Sequence, residues 1–503
     1  YVDIMKRSLE GSHVLDYLKW DHEGDLWLDG VRMLDVVIKA KGTPLEIVDT
    51  RIIKRRADEW VDLTQRIARE VGYTSGFKYH YAAKANMSVE VTHAAYAAGW
   101  LQETTQVLDL HNIQALVQEG LLRKEKVDII CNGFFFPSDR FAVPDSFKEI
   151  KSRGVVFHTD GNEKQADEQS YLATIEAMRD QGYRITPIIY DLNELKYLLT
   201  KKGAFNIGLR LKFGKVTNDR DLIHLPSRFG MTWEQIQEAA DIADSSDNQL
   251  RFTMLHAMVG AAENMPIDVF EPSLQFAADK YFALRAKHPS LQYLNIGGGM
   301  PPKSEKYNHA ELLRRFLRGV KDKAKRANLP EPTIVFELGS YIAAEAGFDI
   351  LKIIGYKQNH IDQDGNPGYW GIGDTSLVAT IPDVWFLPGK EFMILAVNNA
   401  NCSAKLVSHG DLTCDSGSIL PKGMLIPDTT KPQWMGILGT NAYQNVLAGE
   451  GGAGHCGLTG SIKFKIQTVN GRPDVYSTGR QTVQDVGRIQ GYTMDRMKHL
   501  KRS

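Results

Sequence analysis

The chain has 503 residues, a formal net charge of −1, and 43% hydrophobic and 24% charged residues, which is an ordinary globular composition. The near-neutral charge argues against nucleic acid or an anionic membrane as a general partner, and no apolar run approaches the roughly 18 residues of a membrane helix. We find no secretory pattern at the start, although a chain that begins at Tyr1 without a methionine leaves room for a trimmed leader. Four cysteines without a CxxC pair predict neither a zinc ribbon nor a disulfide scaffold, no metal site is expected, and a reducing, cytoplasmic setting is indicated.

From about residue 50 to 345, helical patterns alternate with short apolar runs. Hydrophobic spacing predicts helices over 51–72 and 310–327, and Thr232 and Gln235 are spaced as a capping box at the start of another helix. Apolar strands that alternate with helices indicate a parallel sheet covered on both faces. The predicted strands are 78–83, 100–104, 127–131, 154–158, 186–190, 207–212, 252–256, 292–296 and 333–337.

The fold class follows from the number of these strands. A (β/α)8 TIM barrel uses eight strands, so we assign 154–158 to an insertion, with a doubly wound sheet as the alternative. After about 345, short strand-like runs separated by Gly and Pro predict a β-barrel or β-sandwich domain. We therefore predict an N-terminal segment 1–48 that joins the β domain, a barrel over 49–345 and a C-terminal β domain over 346–503.

Lys84 stands in the apolar stretch "YHYAAKAN", directly after the first predicted barrel strand. The ends of barrel strands face the active-site mouth. In such surroundings we expect a depressed lysine pKa, which lets a neutral amine attack a carbonyl. A lysine that snorkels from a strand end is the alternative.

Two later barrel motifs also follow predicted strands. Gly297, Gly298 and Gly299 form a loop whose backbone N–H groups suit a phosphate, although a plain tight turn has the same composition. Glu337 ends the last predicted strand, where a carboxylate suits a pyridinium nitrogen. A helix N-cap or a metal ligand is the alternative for Glu337.

The β domain carries two further candidate motifs. In "DLTCDSGSIL", Cys414 suits the return of a proton to a carbanion, and Asp415 suits a cationic substrate tail. A buried cysteine beside a turn aspartate is the alternative. Tyr443, between glycine-rich segments, suits a phosphate or cofactor contact, or is a flexible loop tyrosine.

Taken in order, these motifs resemble those of the fold-type III pyridoxal 5'-phosphate (PLP) decarboxylases, which include the ornithine, diaminopimelate and biosynthetic arginine decarboxylases. The resemblance covers residues 42 to about 460 and rests on "YAAKAN", "NIGGGMP", "ELGSYIAAEAG" and "NAYQ". "ICNGFFF", "SRFGMT", "TIPDVWFL" and "LTCDS" lean toward the arginine branch, and "CDSG" also echoes the diaminopimelate branch. The family's barrel is of the alanine racemase type.

The resemblance implies PLP as the cofactor, with Lys84 as its Schiff-base lysine and Glu337 as the partner of the pyridine nitrogen. It implies that Gly297–Gly299 and Tyr443 hold the phosphate and that Arg210 lies behind the cofactor.

The same resemblance assigns roles in the β domain. Cys414 is implied as the proton donor after carbon dioxide leaves, and Asp415 and Asp383 as the residues that receive the distal amine or guanidinium. It also implies a homodimer, or a higher oligomer, in which Cys414 and Asp415 serve the partner subunit's Lys84.

Two positions depart from the family's pattern. Met258 stands where a histidine lies against the PLP ring, with His256 two residues earlier and Ala261 in place of a serine. Ser340 replaces a phosphate-binding arginine, a loss of roughly 1.5–3 kcal/mol for one charge-assisted contact. Arg228 is a substitute by charge alone.

The resemblance therefore implies decarboxylation of a basic amino acid, with a place in polyamine biosynthesis. Arginine is preferred slightly over ornithine, lysine and diaminopimelate. A racemase or epimerase on the same scaffold and a non-catalytic regulatory homologue are the alternatives. The departures at Met258 and Ser340 motivate the regulatory alternative.

Overall fold

A computed structural model describes residues 1–134, 151, 170–213, 227–260, 265–361, 367–387, 389–448 and 455–500. The chain divides into two compact units. The barrel unit contains Ala57–Pro301 and Asn308–Gly339. The sheet unit contains Tyr1–Arg56, Pro302–Tyr307 and Ser340–Ser503.

Eight parallel strands close the barrel in chain order, because the eighth strand pairs with the first through Glu337 and His80. The predicted TIM barrel is confirmed, and the alternative of a doubly wound sheet is wrong. The predicted run 154–158 lies outside the described residues. The barrel strands are Phe77–Ala82, Leu101–Thr104, Asp128–Cys131, Arg184–Ile189, Phe205–Arg210, Leu250–His256, Tyr293–Asn295 and Thr333–Leu338.

Helices separate these strands along the chain, as parallel neighbours require. Thr232 and Gln235 form the predicted capping box at the start of their helix. The predicted helix 51–72 is also confirmed, and Trp60 on its buried side packs edge-on against Phe336 of the eighth strand, with ring centroids 5.5 Å apart. The helices are Thr50–Val71, Val89–Ala97, Val107–Gln118, Tyr171–Asp180, Leu192–Leu199, Trp233–Asp244, Ile267–Arg285 and His309–Ala327.

Side chains fill the interior of the barrel. A buried apolar cluster joins strands three, four, six and eight, so the barrel is a packed core and not a pore. Polar side chains are therefore accommodated best above this cluster, at the ends of the strands. The cluster consists of Ile130, Ile188, Tyr190, Met254 and Val335.

A nine-stranded sheet dominates the sheet unit, beside a small sheet of Leu18–Trp20, Leu26–Leu28 and Val31–Arg32. The N-terminal strand Leu45–Asp49 pairs antiparallel with 347–350 and parallel with 462–466. The nine strands are Leu45–Asp49, Gly347–Ile361, Pro367–Gly373, Met393–Ala396, Ala404–Gly410, Ile419–Pro427, Gln433–Leu438, Ile462–Val469 and Arg472–Gly479.

Short helices complete this unit: Val2–Ser8, Met33–Ala40, Ser340–Ala343, Leu377–Thr380, Asp383–Phe386, Asn445–Ala448, Val483–Ile489 and Met494–Leu500. Over the described parts of the chain, no helix combines the length and apolarity needed to cross a bilayer.

Candidate active site

Each of the eight barrel strands places a polar side chain at or just beyond its C-terminal end. In TIM barrels this end of the sheet carries the active site. In chain order these residues are Lys84, Glu103, Asn132, Tyr190, Arg210, His256, Asn295 and Glu337.

Lys84 lies in a short turn after the first strand and contacts a buried carboxylate. Its Nζ donates to Glu103 Oε1 at 3.0 Å, and its side chain is 43% exposed whereas that of Glu103 is fully buried. Burial raises the pKa of Glu103, and the negative charge of Glu337 raises it further, against the opposing charge of Lys84. Glu103 is therefore a carboxyl group that can exchange a proton with the Lys84 amine.

Asn132 joins Glu103 to the second buried carboxylate. Its Nδ2 donates to Glu103 Oε1 at 2.8 Å and to Glu337 Oε2 at 2.9 Å. This amide comes directly after the third strand, so barrel closure places it between residues 103 and 337. One neutral side chain thus satisfies an oxygen on each of two buried acids.

Glu337 also accepts from Asn295 Nδ2 at 2.6 Å and from His256 Nε2 at 3.2 Å. Burial by itself raises the pKa of Glu337, but contact with His256, the charge of Lys84 and the amide of Asn295 hold it well below its usual range. Three hydrogen bonds leave room for about one more on an ionised carboxylate. Glu337 is therefore an anion with capacity for a further donor.

His256 is the last residue of the sixth strand and is buried. Burial lowers the pKa of His256, although Glu337 opposes the shift. His256 Nε2 lies 3.2 Å from Glu337 Oε2, where a protonated Nε2 donates to the carboxylate.

Arg210 reaches the same network through Tyr190. Its guanidinium donates to the Tyr190 hydroxyl at 2.5 Å, and that hydroxyl donates to the Asn132 carbonyl at 2.6 Å. The guanidinium also lies 4.7 Å from the ring centroid of Phe229. Arg210 thus reaches the backbone of Asn132 through the Tyr190 side chain. Arg228, by contrast, is exposed, and its guanidinium lies 4.3 Å from the centroid of the same Phe229 ring.

The glycine loop follows the seventh strand and requires glycine. Gly297 and Gly299 have φ values of 69° and 83°, and a Cβ on Gly298 would lie 2.3 Å from the Glu337 carbonyl oxygen. Met258 lies against this loop, and the Gly298 N–H donates to its Sδ at 3.3 Å. A thioether is a weak acceptor, so a phosphate can compete for this N–H.

The chemistry of these residues fits PLP. Among the described residues, Glu103 Oε2, Asn132 Oδ1 and His256 Nδ1 are buried and have no hydrogen-bond partner. Buried polar atoms at the C-terminal ends of barrel strands gain hydrogen-bond partners when a polar ligand binds there. An amine at Lys84, an anionic Glu337 and the tight glycine loop supply the three kinds of contact that such a ligand needs.

The remaining predicted residues lie in the sheet unit. Cys414 is exposed, so the alternative of a buried cysteine is wrong. Asp415 is a turn aspartate, because its Oδ1 accepts from the Gly417 N–H at 2.8 Å. Asp383 Oδ2 accepts from Gln444 Nε2 at 2.7 Å, which ties it to the segment that contains Tyr443.

Tyr443 has a φ of 60°, in the left-handed region, and Ser340 begins the helix Ser340–Ala343. Their predicted roles toward a phosphate stay predictions.

Sequence reasoning missed Glu103, Asn132, Tyr190 and Asn295. Each is a polar residue at the end of an apolar strand, which is the signal that identified Lys84 and Glu337. The rule that barrel strand ends form the site would have found them.

Known proteins with this fold were found by sequence and by structure. No protein-family model matches the chain. It is 22% identical over 267 residues to the biosynthetic arginine decarboxylase of Phocaeicola vulgatus, which covers 48% of this chain and 41% of that protein. It is 24% identical over 449 residues to the diaminopimelate decarboxylase of Synechocystis sp., which covers 84% of this chain and 83% of that protein. The match thus spans about two fifths of the first relative's length.

Solved structures share the fold along nearly the whole chain. The biosynthetic arginine decarboxylase of Campylobacter jejuni superposes with a TM-score of 0.77 at 17% identity, over 98% of this chain and 93% of that chain. The diaminopimelate decarboxylase of M. jannaschii superposes with a TM-score of 0.70 at 16% identity, over 95% of this chain and 99% of that chain. The chain is therefore similar in sequence to biosynthetic arginine and diaminopimelate decarboxylases and shares the fold of their solved structures, so the resemblance to the fold-type III PLP decarboxylases is confirmed.

Proposed function

We propose that this chain is a PLP-dependent decarboxylase of a basic amino acid, with arginine preferred slightly over ornithine, lysine and diaminopimelate. The observation that carries the proposal is the ring of strand-end residues, in which Lys84 contacts one buried carboxylate and a second, Glu337, is held anionic. The relatives named arginine and diaminopimelate decarboxylase support the same reaction class.

When bound, PLP supplies the electron sink that makes loss of carbon dioxide from an amino acid feasible. Lys84 provides the amine that links to it, and Glu337 keeps a proton on its ring nitrogen. The backbone of Gly297–Gly299 would hold its phosphate, and Met258, which contacts this loop, would lie beside its ring. Arg210 braces the network from behind through Tyr190.

Lys84 and Glu103 manage the proton at the linking amine. Glu103 Oε1 already accepts from Lys84 Nζ, and burial favours the protonated form of this carboxyl. Glu103 therefore takes a proton from Lys84 Nζ when the neutral amine is needed and returns it when the amine departs. Its neighbour Glu337 stays ionised throughout, so the two acids divide the roles of proton carrier and fixed charge.

The sheet unit supplies substrate recognition and the final proton. Cys414 delivers its thiol proton to the α-carbon after carbon dioxide leaves. Asp415 and Asp383 each keep a carboxylate oxygen beyond the one bound to a neighbour, and so hold the cationic tail of the substrate. We propose a homodimer in which Cys414 and Asp415 act beside the partner subunit's Lys84.

Two features favour a second function, that of a non-catalytic regulatory homologue. The Gly298 N–H is bonded to Met258 Sδ, and Ser340 brings no charge toward a phosphate. Both features weaken the hold on PLP.

Carbon dioxide release from the L and D forms of arginine, ornithine and lysine, and from the LL, DD and meso forms of diaminopimelate, tests the proposal. With added PLP, we expect release from one basic amino acid, abolished in Lys84→Ala. Lys78→Met is the matched control, because Lys78 lies near the other end of the same strand, paired with Asp128. Release from none of these substrates, although PLP binds, would support the alternative of a non-catalytic regulatory homologue.

A further inference from the structure

Two exposed cysteines of the sheet unit lie side by side. Cys414 follows the strand Ala404–Gly410, and Cys456 lies in the short turn His455–Gly457. Their Sγ atoms are 3.2 Å apart, and the Cys414 backbone N–H donates to Cys456 Sγ, also at 3.2 Å. Both thiols are free. The sulfur atoms are thus held together by the backbone of one partner as well as by their side chains.

This arrangement is close to that of a disulfide. An S–S bond is about 2.05 Å long, so the two sulfur atoms would need to approach by roughly 1.1 Å. A small rotation about the Cα–Cβ bonds of exposed side chains provides such a movement. The other two cysteines lack this opportunity, since Cys131 is buried in the barrel unit and Cys402 Sγ contacts Asn401 at 3.8 Å.

We propose that Cys414 and Cys456 form a reversible disulfide when the protein meets a peroxide. The Cys456 thiolate attacks an oxygen of hydrogen peroxide, since the raised pKa of Cys414 makes that thiol the poorer nucleophile; the O–O bond breaks, the leaving hydroxide takes up the proton that the thiol released, and a sulfenic acid and one water result. The second thiol attacks that sulfur, the S–S bond forms, the S–O bond breaks, and a second water leaves. Two thiols lose two electrons and two protons, the peroxide is reduced to water, and a dithiol reductant reverses the change.

The consequence for catalysis rests on the proposed function. A disulfide leaves Cys414 without the S–H proton that returns to the α-carbon, so turnover falls while PLP stays bound at Lys84. In the reduced protein the adjacent Cys456 sulfur raises the pKa of the Cys414 thiol, which keeps it in the proton-carrying form. The same neighbour therefore supports Cys414 when reduced and removes its proton when oxidised.

The test uses the full chain with PLP, treated with one equivalent of hydrogen peroxide. We expect a peptide that links 414 to 456 in a non-reducing digest, a mass loss of about two daltons for the two hydrogen atoms, and full recovery with dithiothreitol. Cys402→Ser, a matched control in the same unit, keeps both the link and the basal activity. Cys456→Ser forms no link. Peroxide treatment that consumes both thiols without a 414–456 peptide, or that links Cys414 to Cys402, overturns the proposal.

Activity is read separately, so the two proposals fail in different ways. We expect at least a tenfold loss of carbon dioxide release in the linked protein, reversed by the reductant. A linked protein with unchanged turnover keeps the disulfide site and removes Cys414 from the proposed mechanism. A protein that releases no carbon dioxide in any state still tests the link through its mass and peptide map.

Discussion

The bridging amide of Asn132 gives the sharpest test of the buried network. Its Nδ2 donates to Glu103 at 2.8 Å and to Glu337 at 2.9 Å, so Asn132→Ala removes one donor from each buried acid. A hydrogen bond to a charged group contributes about 1.5–3 kcal/mol. In this variant Lys84 still donates to Glu103, and Asn295 and His256 still donate to Glu337. We therefore expect the free energy of unfolding to fall by about 3–4 kcal/mol.

Asn295→Ala is the comparison variant, because Asn295 donates to Glu337 but not to Glu103, at 2.6 Å. Its Oδ1 also accepts from the Gly297 N–H at 2.8 Å, so we expect the free energy of unfolding to fall by about 2–4 kcal/mol, from one bond to a charged group and one neutral bond. Urea unfolding of both variants and the wild type without added PLP, followed by circular dichroism, gives the comparison. An Asn132→Ala loss below about 1.5 kcal/mol, which is less than one bond to a charged group contributes, would refute the idea that one amide stabilises both acids.

Three further predictions concern single contacts. Met258→Leu removes the sulfur that accepts from the Gly298 N–H, so we expect PLP to bind about 2- to 10-fold more tightly in an equilibrium titration; weaker binding would contradict the idea that this N–H is held back from the phosphate. His13 has a raised pKa, because its contacts with Glu345 and Glu305 outweigh burial, which lowers it. The protonated imidazole therefore stabilises the fold fully below its unfolded pKa of about 6.5, and stability is lost as pH rises through the folded pKa. We expect His13→Asn to destabilise more at about pH 5.5 than at about pH 8 in thermal unfolding, and an equal effect at both would contradict the linkage. Burial, reinforced by the charge of Glu46, raises the pKa of Asp349 to about 8, so the fold loses stability as pH rises from the unfolded pKa of this group through 8. We expect the free energy of unfolding of Asp349→Asn, measured with urea, to rise relative to that of the wild type at high pH. A difference between the two proteins that does not change with pH would contradict this.

The architecture of the barrel could be predicted because its signals are local. The apolar runs that became strands, the amphipathic helix before the first strand, and the capping box of Thr232 and Gln235 each lie within a short window of sequence. Lys84 and Glu337 were found in the same way, since each stands out at the end of an apolar run.

The contacts inside the site could not be predicted, because barrel closure creates them. Asn132 lies 29 residues from Glu103 and 205 from Glu337, and no local pattern shows that one amide spans both. The directions in which the pKa values of Glu337 and Glu103 shift likewise depend on the contact of Glu337 with His256 and the contact of Glu103 with Lys84. The pairing of Cys414 with Cys456 across 42 residues arises only when the sheet unit folds.

The central claim is that Lys84 is the residue that links PLP in this barrel. Borohydride reduction of the PLP-treated protein fixes the cofactor on the amine with which it has condensed, and peptide mass spectrometry then locates it. We expect the peptide containing Lys84 to carry PLP and Lys78, in the strand that precedes Lys84, to carry none. PLP fixed at another lysine, or no labelled peptide with excess PLP, would contradict the account.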